Sequence, residues 1–263
     1  MSRSLSCLLL LLAALGCHRA PVYDQSYRAK SQDSRAQFLI LHFTGGTWEG
    51  SLKTLTEGNV SSHYLVQESP VVVYQLVDES QRAYHAGLSS WKGQTQLNAA
   101  SIGIEIQNPG DIPGPDGIVF HPYPPAQIDA VVALVRDIVT RHAIRPERIL
   151  GHSDIAPTRK VDPGPTFPWK RLADEGLIPW PDAAAVAAAR TRHEATLPDL
   201  AWFQARLNQH GFTLPPTGVL DPLTKQILSV FQMKYRPARY DGLPDAETAA
   251  ILEVLAPPPA KTP

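Results

Sequence analysis

The segment from Leu150 to Pro165 constrains this chain more than any other stretch. It gathers a neutral-pH metal ligand (His152), two carboxylates (Asp154, Asp162) and two cations (Arg159, Lys160) among Pro157, Pro163, Gly164 and Pro165. Proline fixes its own φ and lacks the backbone donor of a helix interior, so no long helix can run through the segment. The sequence predicts a loop of fixed shape, entered from a short strand at Arg148 to Gly151. Loops carried on a rigid scaffold are where chemistry is usually placed.

Composition narrows what that chemistry can use. The chain has 263 residues, 43% apolar and 19% charged, which describes a folded protein with room for two domains. A net charge of −1 gives no electrostatic footprint for nucleic acid. Both cysteines, Cys7 and Cys17, fall within the first seventeen residues. Any metal site in the body must therefore be built from histidine and carboxylate. Arg3 followed by the apolar run Leu8 to Leu15 reads as an export signal, too short for a permanent membrane span. Residues 14–17 resemble the lipobox of bacterial lipoproteins, in which the cysteine, here Cys17, is lipidated. That pattern usually has a large apolar residue where Ala14 stands and a small one where Leu15 stands. Residues 18–35 read as a tether.

Short apolar runs at 37–42, 62–66 and 71–77 predict strands. In the stretch 101–107, Ile102, Ile104 and Ile106 alternate with Gly103 and Glu105. The isoleucines seal one face, and Glu105 stands on the other with open space beside Gly103. Residues 108–125, rich in proline and glycine, read as a long loop. Ile128, Val131, Val132, Val135, Ile138 and Val139 then recur at helical spacing up to Arg141 and His142. The expectation is an α/β domain over 36–181, a mixed central sheet flanked by helices. The alanines of 183–189 place a linker at 182–196. Beyond it, residues 218–228 and 242–252 share the pattern G-x-x-D-x-x-T-x-x-I-L, a turn glycine, an N-cap aspartate and a helix. With a helix at Leu200 to His210, they predict a small, separable three-helix domain over 197–256, ahead of a disordered tail at 257–263.

Nine histidines need sorting. His18, His121, His142, His193 and His210 sit at a cleavage site, in a loop or linker, or at helix ends, where solvent or capping explains them. His42, His63, His85 and His152 remain, and His42 ends one buried strand while His152 directly follows another.

These residues resemble the type-2 N-acetylmuramoyl-L-alanine amidases, which share a fold with the peptidoglycan-recognition proteins. The resemblance implies that His42, His152 and Asp162 bind Zn2+, two histidines and a carboxylate with an open fourth position. It implies that Glu105 is the catalytic glutamate, that Lys160 is the catalytic lysine, and that His85 in the Tyr84 to Gly87 motif contacts substrate. His63 reads as a packed histidine, and Asp154 and Arg159 as braces of the loop. Residues 197–256 resemble the peptidoglycan-binding domain 1 family. The implied activity is hydrolysis of the amide joining N-acetylmuramic acid to L-alanine, by a monomer in the periplasm held to the outer membrane through a lipid anchor, with peptidoglycan or muropeptides as its partners. Two alternatives stand beside it: an inactive recognition protein of the same fold, and a zinc peptidase that cuts within the stem peptide.

Overall fold

The computed structural model describes residues 21–114 and 117–256. The export signal with Cys17 and the tail at 257–263 lie outside the described residues. Two units are distinguished, one ending at Asp33 and one beginning at Ser34. The described part of the first, residues 21–33, is exposed and has no regular structure.

In chain order the second unit forms β1 (Phe38–Phe43), α1 (Trp48–Glu57), β2 (Tyr64–Val66), β3 (Val73–Gln75), β4 (Ser90–Trp91) and β5 (Gln94–Thr95). There follow β6 (Ser101–Ile106), β7 (Asp111–Gly114), β8 (Gly117–Phe120), α2 (Pro125–His142), β9 (Ile149–Gly151), α3 (His152–Ile155) and α4 (Trp169–Asp174). The C-terminal part holds α5 (Ala183–Ala195), α6 (Leu200–His210), α7 (Pro222–Tyr235) and α8 (Ala246–Leu255). Five strands make the central sheet in the order β3, β2, β6, β1, β9. β1 runs parallel to β6 and β9, β2 parallel to β6, and β3 antiparallel to β2 at one edge.

Strand alternation sorts the core into two faces. Leu39, Leu41, Ile102, Ile104, Ile106 and Ile149 meet the apolar stripe of α2, with Trp169 and Leu172 of α4 in the same cluster. Phe38, Ile40 and Leu150 point the other way, into a cluster with Phe203, Leu207, Phe231 and Leu252 from the C-terminal helices. Parallel strands buried on both faces need apolar residues at nearly every position, and β1 has them up to His42.

The C-terminal helices begin as the repeat predicts. Asp221 and Asp245 accept hydrogen bonds from the backbone amides of Thr224 and Thr248 at 2.7 and 2.8 Å. Each copy also uses a buried glutamine outside the pattern. Gln204 accepts from Gly218 N and donates to Thr224 Oγ1, while Gln232 accepts from Gly242 N and donates to Thr248 Oγ1.

Three expectations change. The long loop at 108–125 contains the antiparallel hairpin β7–β8. The linker expected at 182–196 is the helix α5, capped by Asp182 and packed against α8. Alanine is the best helix former yet lends no apolar stripe, so pattern reading passes over such a helix. His193, assigned to that linker, is buried and pairs with Glu253 at 2.7 Å. The helical bundle is also not separate from the sheet. Beyond the shared cluster, Trp91 packs edge-on against Phe212, and Lys92 N donates to Gly211 O at 2.9 Å.

Candidate active site

The chemistry-bearing residues lie at the carboxyl ends of the parallel strands, where open α/β sheets place their ligands. His42 stands near the end of β1, directly opposite Glu105 of β6 in the parallel register. His152 follows β9 as the first residue of α3. This single helical turn ends before Pro157, so residues 152–165 form a loop with one turn at its start. Asp162 returns on that loop, and Ser153 N donates to its carbonyl at 2.9 Å.

Three donor atoms converge. His42 Nδ1 and His152 Nδ1 are 2.9 Å apart, and each is 3.1 Å from Asp162 Oδ2. All three residues are buried. Nitrogen and oxygen ligands held about 2.0–2.1 Å from a tetrahedral zinc ion stand about 3.3 Å apart, close to the spacing found here. Two imidazoles and one carboxylate also match zinc in chemistry and leave a fourth position for a reactant. The residues present therefore fit the metal.

Electrostatics agree with that use. Burial, then the neighbouring His152, lowers His42 to about 4, so its ring is neutral and able to ligate at pH 7. Burial pushes Asp162 up, but its close contacts with the His152 and His42 rings prevail and hold it well below the usual carboxylate range. Glu105 behaves in the opposite way. Burial, then the nearby Asp162 carboxylate, pushes it well above its ordinary value. Its Oε1 lies 4.0 Å from His42 Nδ1, and its Oε2 is a buried oxygen with no hydrogen-bond partner. A carboxylate with a raised proton affinity beside a metal-binding cluster is suited to exchanging a proton with a reactant held there.

The loop Tyr84 to Gly87 orients both histidines. His42 presents Nδ1 to the cluster, so its Nε2–H donates to His85 Nδ1 at 3.0 Å. The other nitrogen of His85 then donates to Ser101 Oγ at 3.1 Å, and Ser101 donates to Leu97 O at 2.5 Å. On His152, Nε2–H donates to Ala86 O at 3.2 Å. Asn98 Oδ1 pins this loop by accepting from both His85 N and Ala86 N. The space that Gly103 leaves on its strand is filled by this imidazole. A Cβ at Gly103 would lie 2.5 Å from His85 Cγ.

The sequence reading gave His85 to the substrate; the residue lines the cleft, while both its ring nitrogens face protein partners. His63 is a packed histidine whose Nδ1 accepts from Gly103 N at 3.0 Å. Arg159 braces the loop by donating to Ala86 O and Leu88 O. Asp154 does the same by accepting from Gly151 N at 2.8 Å. Ser101 was missed, although the alternation that set Gly103 and Glu105 on one face also puts Ser101 there.

A cleft of about 420 Å³ opens over the cluster, lined in part by His42, Glu105, His152, Asp162 and Lys160, with Tyr84 and the Gly45–Thr47 loop at its rim. Lys160 is half-buried, and it opposes the rise of Glu105 electrostatically.

A mixed sheet with a His-His-Asp cluster at its carboxyl edge and a raised glutamate beside it defines a hydrolase class. Comparison with known proteins makes the assignment particular. Residues 32–165 match the family described as N-acetylmuramoyl-L-alanine amidase, and residues 196–252 match the family described as "Putative peptidoglycan binding domain". The chain belongs to the N-acetylmuramoyl-L-alanine amidase family. It is 40% identical over 261 residues to the N-acetylmuramoyl-L-alanine amidase AmiD of Escherichia coli (strain K12), covering 94% of each chain. The crystal structure of AMPDH3 from Pseudomonas aeruginosa matches with a TM-score of 0.83 at 38% identity, over 90% of this chain and 98% of that one. AmiD from E. coli, in complex with the substrate anhydro-N-acetylmuramic acid-L-Ala-D-gamma-Glu-L-Lys, matches with a TM-score of 0.80 at 39% identity, over 89% and 93% of the two chains.

Proposed function

We propose that this protein hydrolyses the amide between the lactyl group of N-acetylmuramic acid and L-alanine of the stem peptide, with zinc held by His42, His152 and Asp162. The observation that carries the reading is the convergence of those three donor atoms beside a raised glutamate, one of whose oxygens has no hydrogen-bond partner, in an open cleft. When bound, zinc lowers the pKa of water and polarises the amide carbonyl. Glu105 takes a proton from the attacking water and delivers one to the departing amine nitrogen as the C–N bond breaks, a role worth about 10²–10⁴-fold. Lys160 faces the same cleft and stabilises the oxyanion that develops on the carbonyl oxygen. His85 orients His42 in this reading, from within the lining of the same cleft. Full donor and base sets favour an active enzyme over a recognition protein. Likeness to AmiD, seen with a muramyl peptide, favours the muramyl amide over a bond within the stem.

The N-terminal segment supports export to the periplasm and attachment to the outer membrane through a lipid on Cys17. The helices from residue 196 onward support binding to the cell wall. Digestion of purified muropeptides tests the reaction. Free L-alanyl peptide, abolished by a chelator and restored by Zn2+, is expected. A shortened stem still joined to muramic acid would overturn the reading.

A further inference from the structure

Lys234 belongs to the C-terminal module, on α7, yet it reaches beneath the metal-binding loop. It is 6% exposed, and its Nζ lies 2.7 Å from Asp154 Oδ2. A buried lysine is rare and costs much desolvation unless the surroundings compensate. Here they do. The ammonium is also seated 4.2 Å over the ring of Trp169.

What Asp154 holds gives the contact its meaning. The oxygen that meets Lys234 also accepts from Gly151 N at 2.8 Å, the amide immediately before His152. Gly151 is wedged, since a Cβ there would come within 2.8 Å of Pro163 Cδ and 3.2 Å of Trp169 Cζ2. Within the same turn Ser153 N donates to Asp162 O, and Ala156 N donates to His152 O. One carboxylate oxygen thus joins an α7 cation to the backbone that carries two of the three donors.

We infer that Lys234 is a positioning residue for the metal centre: by fixing Asp154 it sets the turn that aims His152 and Asp162, which makes the C-terminal module part of the active site's support. The inference rests on the zinc reading above. Zinc itself is the probe, titrated into metal-free full-length protein against a competing chelator. Outer contacts of this kind change metal affinity by about 10–100-fold when lost.

Lys234→Met keeps the length and packing of the stem but leaves Asp154 unpaired. Zinc binding about 10–100-fold weaker than wild type is expected. At saturating zinc, KM for a soluble muropeptide should stay unchanged, because Lys234 does not line the cleft. Lys234→Met with Asp154→Asn leaves no lone buried charge, and its amide oxygen still accepts from Gly151. That double variant should bind zinc more tightly than the single variant and more weakly than wild type. It decides the matter should the single variant not fold. Ile251→Ala, a core truncation in the same module, is the control, expected to melt lower with wild-type zinc affinity. Lys234 variants that melt lower but bind zinc as wild type would reduce the contact to an ordinary ion pair and overturn the inference. A wild-type protein that binds no zinc would instead remove the metal reading, and this inference with it.

Discussion

One face of the central sheet is divided between two tasks, and its two ends differ sharply. At the amino end of the strands, Phe38, Ile40 and Leu150 are sealed under the C-terminal helices. At the carboxyl end, two residues beyond Ile40 and Leu150, stand His42 on β1 and His152 just after β9, with Glu105 on β6 at the other side of His42. The strands and their alternation are the same at both ends, and what differs is the cover: packed helices over one end, an open cleft over the other. The opposite sheet face has its own helix, α2, along its apolar residues. The helices beyond residue 182 therefore complete the second layer that the sheet requires. The part of the chain that matches a putative peptidoglycan binding domain is here also a packing partner of the catalytic sheet.

The comparison is broken most directly by removing the cover. A chain shortened after Pro181 would expose Phe38, Ile40 and Leu150, each worth about 1.5–3 kcal/mol of burial. Those three alone approach a typical net stability of about 5–15 kcal/mol. Loss of near-UV circular dichroism and of cooperative melting is expected. A shortened chain that melts as the whole protein does would show that the sheet closes without the module.

Single residues sharpen the contrast between the two ends. Ile40→Ala should cost about 2–5 kcal/mol in denaturant unfolding and leave zinc stoichiometry at the wild-type level. His42→Ala, two positions on, should remove the metal. If Ile40→Ala lost zinc as fully as His42→Ala, the two ends would not be independent.

The smallest effect concerns pH. His63 is fully buried, and burial lowers its pKa to about 4. Above pH 6.5 the folded and unfolded chains both hold it neutral. Between 6.5 and about 4 the unfolded chain gains a proton that the folded one refuses, so stability falls with falling pH, by at most about 1.4 kcal/mol per pH unit for this group. His63→Gln should flatten that slope by one group's share in melts across pH 4 to 7. An unchanged slope would mean that His63 does not contribute to it.

Much of this arrangement is legible in the sequence because it is local. The period-two isoleucines place Glu105 on its face, the two aspartates open their helices, and the prolines around Asp162 mark a shaped loop. Elements without a local signature were lost. The alanines of α5 carry no stripe, and Pro113, Gly114 and Gly117 hid the hairpin they belong to. His85 was placed at the site, but its contact with His42 was not legible, because only the fold shows Gly103 making room for its ring. The Lys234–Asp154 pair spans 80 residues of sequence and marks neither end.

Metal binding and proton transfer are assigned here to different residues on this face. Metal content and turnover, measured together on purified Glu105→Gln and Asp162→Ala, test that assignment most directly. Glu105→Gln keeps the three donors and is expected to retain zinc while losing about 10²–10⁴-fold in kcat. Asp162→Ala removes a donor, so zinc and activity should both fall. A Glu105→Gln protein that loses its zinc while Asp162→Ala keeps it, or one that turns over at the wild-type rate, would contradict the account.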